Sequence, residues 1–166
     1  MPQMNKGGKF IFGESVIHAD GTVRFPTQAV DEYSIASEEK VYLFTGSRIT
    51  GGFCVTRKGL LLPSKLGHIL TETPELLRYE APAGAFITYK GRSYCWVEIS
   101  EAGEIKLTDE MMAFLQLESG MRLLSIRSSD IAFTMGAKGP LPEKAADFKG
   151  DIPIFKKSEI ITPSAS

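Results

Sequence analysis

Gly21-Thr22-Val23-Arg24-Phe25-Pro26, residues 21–26, decides the fold, because a related pattern returns 82 residues later. Gly103-Glu104-Ile105-Lys106-Leu107-Thr108 keeps the glycine, the central β-branched residue, the basic residue and the bulky apolar residue in register. The match extends outward. Ile17 and Ile99, Ser37 and Ser119, Ser47 and Ser129, and Ile49 and Ile131 are identical at the same shift. Ile35 and Leu117, Lys40 and Arg122, and Val41 and Leu123 change like for like. Apolar, charged and turn positions recur together, which indicates an internal duplication. Two copies of about 60 residues are too few and too long for a solenoid. A unit of that size is marginal alone, so the copies are expected to share one core.

Each copy carries the same local signals. Residues 9–17 are apolar and β-prone, with Gly13 marking a bulge or bend. His18-Ala19-Asp20-Gly21 carries the Asp-Gly signal of a hairpin turn into a returning strand, 22–25. Pro26 suits the first position of a short helix, 27–33, with Ala29, Val30 and Tyr33 on one face. Ile35 plugs the core, and strands 40–44 and 53–57 follow across a glycine-rich link. In the second copy, strands 93–99 and 104–107 lead to Thr108, a good helix cap. Asp109 and Glu110 then suit the positive end of the helix dipole, and Met111, Met112 and Leu115 face inward. Strands 122–126 and 131–135 complete this copy. Gly120 is expected at a positive φ, with Glu38 strained at the matching turn position. The closing strands align at a shift of 80, so the first copy carries two extra residues within 49–52.

The chain therefore divides into a first repeat with an N-terminal arm, 1–59, a helical connector, 60–84, a second repeat, 85–141, and a C-terminal extension, 142–166. In the connector, Ser64 is expected to cap a helix with Leu66, Ile69 and Leu70 inward. Thr73-Pro74-Glu75 starts a second, holding Leu76, Leu77 and Tyr79. In the extension, 142–148 reads as one or two helical turns and 150–155 as an edge strand, since Pro153 cannot donate to a ladder. Residues 156–166 have little to bury and read as a disordered tail.

Composition bounds the class. Of 166 residues, 43% are hydrophobic and 23% charged, enough for a globular core. The net charge of -1 gives no global field towards nucleic acid or anionic lipid. Cys54 and Cys95 stand alone without a CxxC and read as buried thiols of a reducing compartment, a single disulfide being the alternative. There is no signal-like or membrane-length apolar run, so a cytoplasmic protein with no membrane partner is expected.

Strand, tight turn, strand, a short helix after its start signal, a core Ile or Leu, a turn and two more strands occur over 9–57 and again over 93–138. This order resembles the AbrB/SpoVT family. The resemblance implies a mainly β fold with short helices, in which two ββαββ repeats form one pseudo-dimeric swapped-hairpin barrel, as in tandem MraZ-type regulators. It also implies a DNA-binding transcriptional regulator. The chain departs from the family's frequent Gly-Arg-Val-Thr-Ile-Pro. The basic residue after the glycine has become Thr22 and Glu104, and the common helix arginine falls at Val30 and Met112. Both helices are acidic, through Asp31, Glu32, Asp109 and Glu110.

Basic residues are nonetheless unevenly placed. Residues 41–71 contain no acid and carry Arg48, Arg57, Lys58 and Lys65, while 81–97 contain none and carry Lys90 and Arg92. Lys6-Gly7-Gly8-Lys9 also matches Lys90-Gly91-Arg92 at the two strand openings. Lys9, Arg48, Arg57, Lys58, Lys90 and Arg92 are thus the candidate contacts to the phosphates of double-stranded DNA. The competing account is a solvated strand edge where lysine deters aggregation. Nothing patterns an enzyme: His18 and His68 lack an HxxxH partner, and no base accompanies a Ser or Cys. No cofactor motif is present, and a metal site from His18, Cys54, Cys95 and His68 has no supporting spacing. Tyr94 and Trp96 alternate opposite Cys95 and read as core filling ahead of a stacking platform beside Tyr89. Two functions stay open. One is the DNA-binding regulator; the other is a non-enzymatic interaction or homo-oligomerisation module, with a protein or small-molecule partner, that has lost its DNA face. A contiguous basic face favours the first, an apolar or acidic face the second.

Overall fold

The computed structural model describes residues 10–45, 51–137 and 154–156. The chain is mainly β, with ten strands and five short helices in these residues. They run β1 (Ile11–Val16), β2 (Thr22–Arg24), α1 (Thr27–Tyr33), β3 (Lys40–Thr45), β4 (Phe53–Thr56), α2 (Lys58–Leu61), α3 (His68–Thr71) and α4 (Pro74–Leu77). Then come β5 (Ile87–Tyr89), β6 (Arg92–Glu98), β7 (Glu104–Lys106), α5 (Asp109–Leu115), β8 (Arg122–Arg127), β9 (Phe133–Gly136) and β10 (Ile154–Phe155). The arm 1–8, most of the 46–52 link, the segment 142–148 and the tail 157–166 lie outside the described residues. None of the described helices is long and apolar enough to cross a membrane.

Eight strands form one sheet in the order β10-β1-β8-β9-β4-β3-β6-β5, and β2 and β7 form a separate ribbon. All ladders are antiparallel except β1 with β10, so the sheet is mostly antiparallel. Among the described residues β5 and β10 are its outer strands, and the ladders do not close into a barrel. The register is palindromic. At the centre Cys54 faces Thr134, with Phe53 opposite Met135 and Val55 opposite Phe133. Outward, Val16 pairs with Arg122 and Glu98 with Lys40, two pairs that interconvert under the 82-residue shift. The opening strand of each half therefore lies against the third strand of the other half. β1 takes one extra residue between Ile11 and Gly13, the bulge anticipated at Gly13.

The ribbon repeats the symmetry. Thr22 pairs with Lys106, Val23 with Ile105, and Arg24 with Glu104. The Phe25 N–H donates to the Gly103 carbonyl and the Leu107 N–H to the Gly21 carbonyl, each at 2.9 Å. The expected Asp-Gly turn exists, since the Gly21 N–H donates to the His18 carbonyl. Its second strand, however, ladders with β7 rather than returning along β1. Pro26 sits one position earlier than expected, as the residue capping α1. Thr108 caps α5 as anticipated, its Oγ1 accepting the Met111 N–H at 3.1 Å.

Strand alternation sorts the apolar residues into two cores. Val41, Leu43, Cys95 and Val97 point into the larger one, with Val23, Phe25, Tyr33, Ile105, Met111, Leu115 and Phe133. It draws on both halves of the chain, and an edge-on pair of rings, Phe25 and Phe133 at 5.3 Å, sits within it. Tyr42, Phe44, Tyr94 and Trp96 point the other way, under Leu61, Ile69, Leu70 and Leu76 of the connector. The Tyr42 hydroxyl donates to the Leu76 carbonyl at 2.8 Å, and the Trp96 indole N–H to the Ala81 carbonyl at 2.7 Å. The aromatic face is thus core rather than a stacking platform. Leu66 departs from expectation: the helix starts at His68, not after Ser64, and leaves Leu66 45% exposed. The helix α2 was not foreseen, because Gly59 inside it reads as a loop residue.

Gly120 has φ 89, as expected, but Glu38 at the matching position is not left-handed; the positive φ of the first turn falls one residue later, at Glu39, φ 66. Gly21 is the more constrained glycine. At φ 88, a Cβ there would overlap the Leu107 carbonyl oxygen, whereas one at Gly120 meets nothing within 4 Å. Gly120→Ala is therefore expected to cost about 1 kcal/mol, the backbone penalty alone. Gly21→Ala should cost about 3 kcal/mol or more, since it also breaks the ribbon. Urea melts of the two variants check the order.

Candidate functional site

Of the six basic candidates, four lie among the described residues, and these divide into two separate pairs. Lys9 and Arg48 lie outside those residues. Arg57, just past β4, is turned inward: its Nε–H donates to the Tyr33 carbonyl at 2.9 Å and its guanidinium pairs with Glu38 at 2.5 Å. The same Glu38 carboxylate accepts the Gly59 N–H at 2.9 Å. Lys58 places its ammonium 4.1 Å from the centre of the Tyr79 ring, and Lys40 approaches the same ring at 5.4 Å. These cations rest on an aromatic face of the protein itself.

Lys90 and Arg92 are placed differently. Lys90 at φ 50 and Gly91 at φ 86 make the two-residue left-handed turn between β5 and β6, a geometry that matches strand twist. Both basic residues are exposed there, with Arg92 5.8 Å from the Phe44 ring. Phe44 lies near the end of β3, whereas Lys40 begins it. The two basic groups are therefore separated by most of that strand, roughly 13 Å for four residues at about 3.3 Å each.

Where the chain departs from the AbrB pattern, Val30 and Met112 pack against the core, whereas Thr22 and Glu104 border the cleft beside the ribbon. A Cβ at Gly103 would meet Val30 Cγ2 at 2.8 Å, so the Val30 side chain fills space beside the second turn. In α1, Glu32 is paired twice with the Arg127 guanidinium, at 2.8 and 2.5 Å, and that guanidinium lies 4.7 Å over the Phe10 ring. The helix charge is thus part of an internal clamp.

The two thiols are not activated by their surroundings. Cys54 and Cys95 are free and buried, and point into different cores. Burial pushes the Cys95 thiol up to about 12 and raises the Cys54 thiol as well, so both stay protonated and weakly nucleophilic. Burial also lifts the Tyr33 hydroxyl to about 12, and that hydroxyl donates to the Ser129 carbonyl at 2.6 Å. Among the described residues no group of three or more His, Cys, Asp or Glu side chains converges.

Two clefts open among the described residues. One, of about 350 Å³, lies beside the ribbon and is lined by Glu98, Ser100, Glu104 and Lys106 among others. The other, of about 400 Å³, lies between the 82–86 segment and α5. Its apolar wall is a pair of stacked rings, Phe86 and Phe114, with centroids 4.3 Å apart and planes at 16°. Phe114 is 50% exposed. Sequence reasoning passed over this pair, although a signal existed: Phe114 lies off the inward Met111–Leu115 face and stands where the first half has Glu32. No family model matches the chain, and neither a curated protein nor a solved structure matches it.

The Glu38–Arg57 contact is partly buried, with side chains 27% and 18% exposed, and carries the adjoining turn. Glu38→Ala is expected to destabilise by about 1–2 kcal/mol, because Arg57 and the Gly59 N–H lose their acceptor together. Glu38→Gly should likewise destabilise rather than relieve strain. Denaturant melts of both variants check this.

Proposed function

We propose that the chain is a tandem AbrB/SpoVT-like swapped-hairpin protein acting as a non-enzymatic interaction module. The palindromic ladder register supports the architecture, since repeat-equivalent residues meet at both centres, Val23 with Ile105 and Cys54 with Thr134. The functional reading rests on one observation. Arg57 and Lys58 are engaged within the fold, while an aromatic cleft with an acidic wall stands open. With Arg57 and Lys58 held on the protein's own carboxylate and ring, two of the six candidate phosphate contacts are withdrawn from counterion release.

Exchange of strands between halves makes each half incomplete. A fragment of residues 1–58 keeps only the β3–β4 ladder, since β6, β7, β8, β9 and β10, the other partners of its strands, all lie beyond it. It is expected to be unfolded by circular dichroism or to recover structure only as a homodimer in sedimentation. A well-folded monomeric fragment would count against the shared architecture.

A DNA-binding transcriptional regulator is the second reading, favoured by the exposed Lys90-Gly91-Arg92 tip. Fluorescence anisotropy with mixed genomic fragments separates the two. The module reading expects no binding at about 50 mM salt and micromolar protein. Binding whose log–log salt slope is flattened by about two units in the Lys90→Ala, Arg92→Ala double variant would establish the DNA reading instead.

A further inference from the structure

We propose that the cleft between residues 82–86 and α5 receives an arginine or lysine side chain from a partner protein. This names the partner chemistry of the module and rests on that reading. The residues bordering the cleft include two aromatic rings and one ionisable group, the Glu110 carboxylate, and no basic residue. Glu110 and Phe114 are four residues apart, hence on one face of α5, so carboxylate and ring face the same space. A cation over the outer face of the Phe114 ring would satisfy both at once, the ring quadrupole and the carboxylate attracting the same charge. A neutral apolar side chain would use only the rings, and a phosphate would be repelled by Glu110.

The cleft is pre-shaped, which lowers the ordering cost of binding. The Gly84 N–H donates to the Trp96 carbonyl at 2.9 Å and the Ala85 N–H to the Pro82 carbonyl at 3.0 Å, tying the wall to β6. Gly84 has φ 83, and a Cβ there would meet the Met111 sulfur at 2.8 Å, so glycine lets the wall approach the helix. The volume of about 400 Å³ lies in the range of specific ligand sites, roughly 300–1,000 Å³. At the first half's helix the same grammar is satisfied from within the chain, by a cation of the second half. There Arg127 lies over Phe10 and pairs with Glu32, the residue equivalent to Phe114. In the second half the ring and the carboxylate are present, and the cation is to be supplied from outside.

The test is a nitrogen-15 NMR titration of the full chain with acetyl-Gly-Arg-Gly-amide, against the same peptide with citrulline, the neutral isostere. The arginine peptide is expected to shift the amides of Ala85, Phe86, Glu110 and Phe114, and the citrulline peptide to bind at least about tenfold more weakly. Glu110→Gln should weaken the arginine peptide about five- to tenfold and leave the citrulline peptide unchanged. Phe114→Ala should weaken both. Both sites are on the surface, so the variants keep the wild-type spectrum elsewhere. Equal binding of the two peptides, shifts that map outside the cleft, an unaffected Glu110→Gln, or no shifts at about 10 mM peptide each overturn the proposal. An unoccupied cleft together with absent DNA binding removes this assignment and leaves the module reading. Salt-steep DNA binding removes the module reading whatever the peptide does.

Discussion

Val23 and Ile105 face one another in a ribbon of three residue pairs, and the longer ladders follow from that meeting. Once β2 has left β1 to pair with β7, the strands before and after it are carried into the other half. β1 then finds β8, and β6 finds β3. The reciprocal bonds from Phe25 to Gly103 and from Leu107 to Gly21 fix the register at both ends. A slip of one residue would turn Val23 and Ile105, both buried, out of the core. Hydrophobic burial of about 1.5–3 kcal/mol for each such side chain makes that slip unaffordable for a small domain.

What the chain reveals of this beforehand is local. α1 is legible to the residue, because a proline precedes a stretch with Ala29 and Tyr33 on one face. β3 and β6 are legible as strands, and their alternation also separates Tyr94 and Trp96 from Cys95. Partner choice is not legible in the same way. The Asp-Gly turn has its expected hydrogen bond, yet turn chemistry says nothing about which distant strand completes the ladder. Repetition of the pattern at 82 residues supplies the missing hint, since equivalent residues can meet only around a common axis. The site was less legible than the fold. Arg57 reads as a surface cation until its contact with Glu38, 19 residues earlier, is known. Phe86 and Phe114 meet across 28 residues of chain, and no short-range pattern links them.

The two halves use the same backbone for different ends. On one side of the sheet the connector helices cover the outer face of β3, β4 and β6, strands from both halves, and hide its aromatic residues. At the helix, Glu32 is neutralised by Arg127, whereas Phe114 at the equivalent place is left half exposed beside Phe86. At most equivalent positions both residues enter the shared core, Val23 with Ile105 and Ile35 with Leu117 among them. Glu32 and Phe114 lie outside that core, which leaves this position open to a charge in one half and a ring in the other.

The crossing of strands also sets a schedule for synthesis. β1 must wait for β8, about 110 residues further along, before its inner edge is paired. At ribosomal rates of roughly 5–20 residues per second, that edge stays open for roughly 5–20 s. Throughout that interval Ile11 and Phe12 have no finished sheet to enter, and a neighbouring nascent chain offers the same complementary strand. High contact order thus becomes a matter of timing, and pairing within one chain competes with pairing between two. The 60–84 connector favours the first outcome by holding the second half near the first as soon as it emerges, raising its effective concentration above that of any other copy.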